Sequence, residues 1–454
     1  MLPQANPTIS YWQDPPDVDI ANYLSSENVP EITDTVIIGS GITGASTAYG
    51  LLCSGGTAEK LVMLEARQAC SGATGRNGGH TKAASYHTFL EHVSSHGIAE
   101  AVKIARLEYN TIKSLHTFAR EQNIDCDLFS GDTVDIFYDK EQWQRCLASI
   151  AAMQSAMPED LDGAARYQFW SADEAKEKFH MRGEVCIGAV SYEAGSLSAY
   201  RLVIGILKLC LGMGMELYTN TPARKIEQME GHWRVQTNRG YINARRLILA
   251  TNAYTGFLYP KFQKVIVPLR GQVTAHRPGR NMPREGLQTT YSFVYAGGFD
   301  YMIPRPKGKR FEGDIVIGGG LTKGTNNGVD EFGTTDDSGM SIEISKYLTE
   351  ATSRFFGSAW GEDDKEGRVR KEWTGIMGYS NDGFPFVGKV LGDKDLWIAA
   401  GFQGHGMVMC FLCAKALVIM MSGEEESLNT WFPDSFRVSE ERMAKKFTGI
   451  CVSD

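Results

Sequence analysis

No stretch of about eighteen apolar, uncharged residues occurs in this sequence, so no membrane-spanning helix is expected. The longest apolar run, MVMCFLCAKALVIMM at 407–421, is interrupted by Lys415. The opening residues, MLPQANPTISYWQDPPD, have neither a basic stretch nor an apolar one, and nothing in them reads as a secretion signal. Positive charge is not in excess. The 46 Lys and Arg against 54 Asp and Glu leave −8 over 454 residues, with no basic cluster. Phosphate backbones need clustered cations, which excludes nucleic acid as a partner. Cysteines at 53, 70, 126, 146, 186, 210, 410, 413 and 451 are odd in number and irregular in spacing, the usage of reduced thiols. Cys410 and Cys413 read as two small core residues of one helix rather than a redox or metal pair. His87, His92, His96 and His232 show no ligand spacing, so no metal is expected. Val452, Ser453 and Asp454 match no C-terminal address, and the cytoplasm is the expected compartment.

Glycine is plentiful: 49 residues, with clusters at Gly39–Gly44, Gly72–Gly79, Gly318–Gly320 and Gly401–Gly406. Clustered glycine in otherwise complex sequence marks places where backbone approaches something closely. Residues 1–30 hold five prolines and read as an arm laid over the surface. A buried strand at Val36–Ile38, a glycine turn, a small-residue helix over 42–53 and a second buried strand over 61–66 make a βαβ unit. Helical spacing recurs over 86–128, 141–158, 199–213, 341–356 and 407–421, and the stretch 265–330 is rich in strands.

Gly39-Ser-Gly41-Ile-Thr-Gly44 fits G-x-G-x-x-G with a strand before it and a helix after. Gly39 permits the tight turn, Gly41 admits a pyrophosphate to the backbone, and Gly44 lets the helix lie close to the sheet. Glu65 ends the second strand, where a carboxylate binds ribose hydroxyls and disfavours a 2′-phosphate. A second glycine-rich loop, Cys70-Ser-Gly-Ala-Thr-Gly-Arg-Asn-Gly-Gly-His80, follows at once. NAD has no evident use for it, whereas an extended FAD needs backbone against its ribityl chain and ring.

GSGITG, LEA, SGATGRNGGH, LILATNAYTG, PLRGQ and AGFQGHG together resemble the D-amino acid oxidase-like (DAO) family of FAD oxidoreductases over roughly residues 33–422. YW near the N-terminus, GRNGG and WTG resemble its gamma-glutamylputrescine oxidoreductase branch. The resemblance implies an α/β fold of two domains, a Rossmann-like FAD domain and a substrate domain with a large, mainly antiparallel sheet. The boundaries it suggests are an arm at 1–30, an FAD domain over 31–105, 195–265 and 365–435, a substrate domain over 106–194 and 266–364, and a tail at 436–454. It implies that Gly39, Gly41, Ile42, Thr43, Gly44, Glu65, Ala66 and Arg67 bind the ADP half of FAD, with Ala223 against adenine. Thr74, Arg76, Asn77, Gly78, Gly79 and His80 would line the flavin, beside Ala250, Thr251 and Asn252. Gly404, His405, Gly406 and Met407 would start a helix whose N-terminus faces the ring, His405, Gly406 and Met407 being the catalytic candidates. Free N–H groups there stabilise negative charge arriving on the cofactor.

Three departures matter. Sarcosine-oxidase-like relatives attach flavin through a cysteine, but WTGIMGYSNDGFPFVG has none, with Met377 or Gly378 at that place; non-covalent FAD is expected, a link through His80 remaining open. A substrate-binding lysine of those relatives falls at Val408, and their oxygen-activating lysine at Val316. Tyr291, Tyr295, Tyr301, Trp373 and Tyr379 are candidates to cage an amine, and Arg270 and Arg305 to hold an acid. The reading is an FAD-dependent amine oxidoreductase that takes hydride from the α-carbon, with hydrolysis of the imine and O2 as the expected acceptor. An amino acid oxidase of the same fold, an NAD-linked dehydrogenase and a non-catalytic flavin-binding protein stay open.

Overall fold

The computed structural model describes residues 2–55 and 59–448; Cys451 and the three residues after it lie outside that range. Two sheets organise the chain. The first has eight strands, six of them in the order 386–389, 396–400, 240–249, 32–38, 61–64, 216–218. The hairpin 225–229/232–237 joins it through Gly240–Leu249. Ile32–Ile38 pairs in parallel with Leu61–Leu64 on one side and Gly240–Leu249 on the other. Val36, Ile37 and Ile38 are buried on both faces, the pattern of a parallel strand covered by helices. Those helices include Ile42–Gly55, Ala199–Gly212 and Cys410–Ser422. The last is apolar nearly all round and holds the buried thiols of Cys410 and Cys413, which marks a core helix.

The second sheet has nine strands, eight in the order 369–380, 266–276, 315–318, 298–304, 290–295, 129–137, 188–196, 80–81, with 168–171 on the flank. All its pairings are antiparallel except Thr290–Tyr295 with Phe129–Phe137. Val369–Ser380 falls within the segment assigned from sequence to the FAD domain, yet it pairs with Ile266–His276 along its length. Its alternating burial from Thr374 onward is that of an antiparallel strand with two different faces. His80–Thr81 likewise leaves the first unit to pair with Gly188–Ser196, so the chain crosses between the sheets more often than the boundaries from sequence imply.

Two further expectations are corrected. The N-terminal arm is not laid over the surface throughout: Ser10, Tyr11, Trp12 and Gln13 are buried and fill the seam behind the second glycine loop, while most of the rest is exposed or half-buried. The helix expected from residue 407 begins at Cys410. Before it lies a separate tight turn at Gly406–Val408, entered through Gln403 and Gly404 in the left-handed region.

Candidate active site

The glycine turn between the first strand and helix is set by two close approaches. A Cβ on Gly39 would sit 2.5 Å from the Ala250 carbonyl oxygen, and one on Gly44 would sit 1.9 Å from that of Gly39. Gly41 differs: its added Cβ would meet only the Thr74 side chain, at 3.1 Å. The space above Gly41 opens into a cavity of about 790 Å³, within the ~300–1,000 Å³ usual for ligand pockets. Glu65 ends beside this turn. Its carboxylate accepts from the Ser40 N–H at 3.1 Å, the Ser40 hydroxyl at 2.6 Å and the Arg67 N–H at 3.0 Å.

The second glycine loop is held from behind. Three successive carbonyls accept hydrogen bonds, Gly75 from the Ser10 hydroxyl (2.7 Å), Arg76 from the Trp373 indole (2.7 Å) and Asn77 from the Trp12 indole (2.6 Å). Arg76 is 3% exposed; it donates to the Thr374 carbonyl at 2.6 Å and to Thr8, with Asp337 3.6 Å away. Burial lowers its pKa to about 10 in spite of that carboxylate. With its rear so fixed, the loop presents its other side to the cavity. Gly78 is required there, since a Cβ would reach to 2.2 Å of the Tyr301 ring.

At the far end, the Asn252 side-chain oxygen accepts from the N–H groups of Gly401 (2.9 Å) and Phe402 (3.3 Å), which fixes the turn carrying Gly404, His405 and Gly406. His80 hydrogen-bonds the Thr290 hydroxyl at 2.8 Å. Burial, with Lys82 nearby, pushes the imidazole of His80 well below its ordinary pKa and that of His405 to about 4; both are neutral near pH 7. Lys82 is itself buried, its ammonium 2.6 Å from both Asp135 and the Ser292 hydroxyl. Asp135 also accepts from the hydroxyls of Tyr86 (2.6 Å) and Tyr192 (2.8 Å).

Every cofactor-binding candidate from the sequence lines this cavity except Gly44, whose place is in the helix packing. His405, Gly406 and Met407 line it too, as do Tyr295, Tyr301 and Tyr379. Four candidates do not. Tyr291 stacks on Phe293 within the core of the second unit, and Trp373 faces Tyr11 and holds the Arg76 carbonyl. Arg305 pairs with Asp127 at 2.6 Å, and Val316 is fully buried in its strand. Arg270 does line the cavity, but Glu331 occupies it through two hydrogen bonds, at 2.6 and 3.2 Å. Sequence reading missed Lys82, His87, His92, Glu108, Tyr254, Gln272 and Ser292, all in the cavity wall. Glu108 and Ser292 carried a usable signal, a polar residue on the apolar face of a helix or strand; the rest carried none.

The donor set fits FAD. The glycine turn leaves room at Gly41, and the second loop offers bare backbone. The Tyr254 hydroxyl and the Gln272 amide nitrogen are buried without a partner among the described residues, and both residues line the cavity. Such orphaned groups ask for a ligand. No cluster of metal-ligating side chains occurs among the described residues, and none of their helices is long and apolar enough to cross a membrane.

Comparison with known proteins agrees with this geometry. A family model described as FAD dependent oxidoreductase, DAO, matches residues 34–419. A probable oxidoreductase OrdL from Haemophilus influenzae is 22% identical, over 88% of this chain and 85% of the relative. Gamma-glutamylputrescine oxidoreductase from Escherichia coli is also 22% identical, with the same two coverages. The crystal structure of glycine oxidase from Geobacillus kaustophilus superposes with a TM-score of 0.70 at 19% identity, covering 89% of this chain and 99% of that one.

Proposed function

The chain belongs to the DAO family of FAD-dependent oxidoreductases, and from that premise we propose that it oxidises the C–N bond of an amine whose reacting carbon bears no carboxylate. One observation carries this reading. Each cation in the cavity wall is already tied to a carboxylate: Arg67 and Arg76 to Asp337, Lys82 to Asp135, Arg270 to Glu331. A substrate carboxylate at Lys82 or Arg270 would have to break a one-to-one buried pair, and a charge left behind without its partner costs ~3–5 kcal/mol. Arg67 and Arg76 share one carboxylate, but their guanidinium groups are also held by Gln4, Ser71, Thr374 and Thr8. Val408, where related enzymes keep a cation, offers an apolar wall.

Bound FAD supplies the two-electron acceptor for the amine; we assign it to the non-covalent class, with O2 as its reoxidant. The glycine turn and Glu65 bind the ADP half. The loop Thr74–His80 and the turn Gly404–Met407 align the redox half. His405, kept neutral, accepts a hydrogen bond from the amine N–H and orients the nitrogen, whose lone pair must be free for the reaction. Tyr301 and Tyr379 exclude water and pack against the amine's carbon chain.

The test is anaerobic flavin reduction by amines paired with their α-carboxylated counterparts. The amines should bleach the yellow holoenzyme faster, and acid precipitation should release the colour to the supernatant. If the amino acids are faster throughout, the amino acid oxidase reading replaces this one.

A further inference from the structure

Six side chains with full charges line the cavity: Glu65, Arg67, Arg76, Lys82, Glu108 and Arg270. The four cations have carboxylate partners, and Glu65 is engaged by Ser40 and the Arg67 N–H. Glu108 stands apart. It lies on helix Ile98–Glu121, which packs against the turn Gly406–Val408, and is 4% exposed. Its one hydrogen-bond partner among the described residues is the Ser85 hydroxyl, and it forms no ion pair there. His92, also in the cavity wall, is no counter-charge: burial holds its pKa at about 4, so it is neutral. His87, also in the cavity wall, is engaged with Asp135 at 3.6 Å.

A buried carboxylate without a cation is unfavourable in the free protein, and burial accordingly pushes the Glu108 pKa up to about 7. Such a group in a ligand cavity has its charge balanced when the ligand brings a cation. We propose that Glu108 receives a second, remote ammonium of the substrate, so that the substrate class is a diamine, one nitrogen on the reacting carbon and another at the far end. This rests on the amine reading above and narrows it.

The experiment compares linear α,ω-diamines of increasing length with monoamines of matched length and with mono-N-acetylated diamines. Anaerobic stopped-flow on the holoenzyme yields the dissociation constant of each, and thermal melting with each amine gives a readout independent of turnover. For at least one chain length, wild type should bind the diamine about tenfold to a hundredfold more tightly than either comparator, the range of one charge-assisted hydrogen bond. In Glu108→Gln that ratio should collapse towards one, and the variant without substrate should melt higher than wild type. A ratio near one at every length in wild type overturns the proposal, whether or not the variant folds. So does a variant that slows diamines and monoamines alike, since Glu108 would then act at the reacting nitrogen. If no amine reduces the flavin but diamines alone raise the melting temperature through Glu108, the oxidation reading fails and the binding site stands.

Discussion

At the scale of single residues, the site depends on groups whose charge state is set by burial. Glu65, by contrast, acts through its hydrogen bonds. If it binds the ribose, Glu65→Ala removes charge-assisted hydrogen bonds of ~1.5–3 kcal/mol each, and the FAD dissociation constant should rise about tenfold or more. Equilibrium dialysis or fluorescence titration measures it, and an unchanged constant would assign the ribose to another residue. The buried histidines set a pH dependence. His276, fully buried against the Thr352 hydroxyl at 2.8 Å, has its pKa lowered from 6.5 to about 3, and His116 is lowered to about 4, in both cases chiefly by desolvation. Below about pH 6.5 the unfolded chain binds protons that the native protein refuses, so stability falls with pH, by ~1.4 kcal/mol per unit for each such group. Glu108 has the opposite sign, since its raised pKa lets the native state take up a proton first between about pH 7 and pH 4.5. The histidines outnumber it. Urea midpoints should therefore drop between about pH 7 and pH 5, and His276→Gln should flatten the slope; an identical slope in that variant would show that His276 titrates normally.

At the scale of elements, the strand–turn–helix unit separates two roles that the G-x-G-x-x-G pattern merges. Gly44→Ala drives a methyl group into the Gly39 carbonyl, and the helix cannot move off without opening the sheet packing behind it. Gly41→Ala meets only the Thr74 hydroxyl and should fold, while the methyl group occupies the space proposed for the pyrophosphate. The expected outcome is an apoprotein of near-normal melting temperature with little FAD for Gly41→Ala, and insoluble or unfolded protein for Gly44→Ala. Retained yellow colour in Gly41→Ala would move the phosphates elsewhere. Much of this element was legible in advance, because Val36–Ile38, the glycines and Leu61–Leu64 act through local geometry. Trp373 and Tyr291 were not: along a strand the two faces look alike in sequence, and only the pairing of Val369–Ser380 with Ile266–His276 turned the Trp373 ring towards Arg76 and Tyr11.

At the scale of the whole molecule, the N-terminal arm works as part of the site. Thr8, Ser10 and Trp12 bind the back of the loop at Gly75–Asn77, and Tyr11 packs against Trp373 while donating to Asp314 at 3.1 Å. Removing residues 2–13 would leave the Gly75 and Asn77 carbonyls without these donors and expose a seam lined by Trp373, Arg76 and Arg305. That truncation should lower the melting temperature and release FAD; a truncated protein that holds FAD as tightly as wild type would reduce the arm to a passive cover.

The amino-acid sequence by itself determined the G-x-G-x-x-G turn, the carboxylate beside it, the second glycine loop and the apolar helix after GFQGHG, because each is written in neighbouring residues whose spacing sets their own conformation. Tertiary structure alone decided that the described cations of the cavity are engaged: Arg67 and Arg76 share Asp337, Lys82 meets Asp135, and Arg270 meets Glu331 across separations of 53 to 270 positions in the chain. It likewise decided that Glu108 has no ion-pair partner among the described residues. Charge balance in a cavity is a sum over every element that reaches it, and that sum exists only once the chain has brought those elements together.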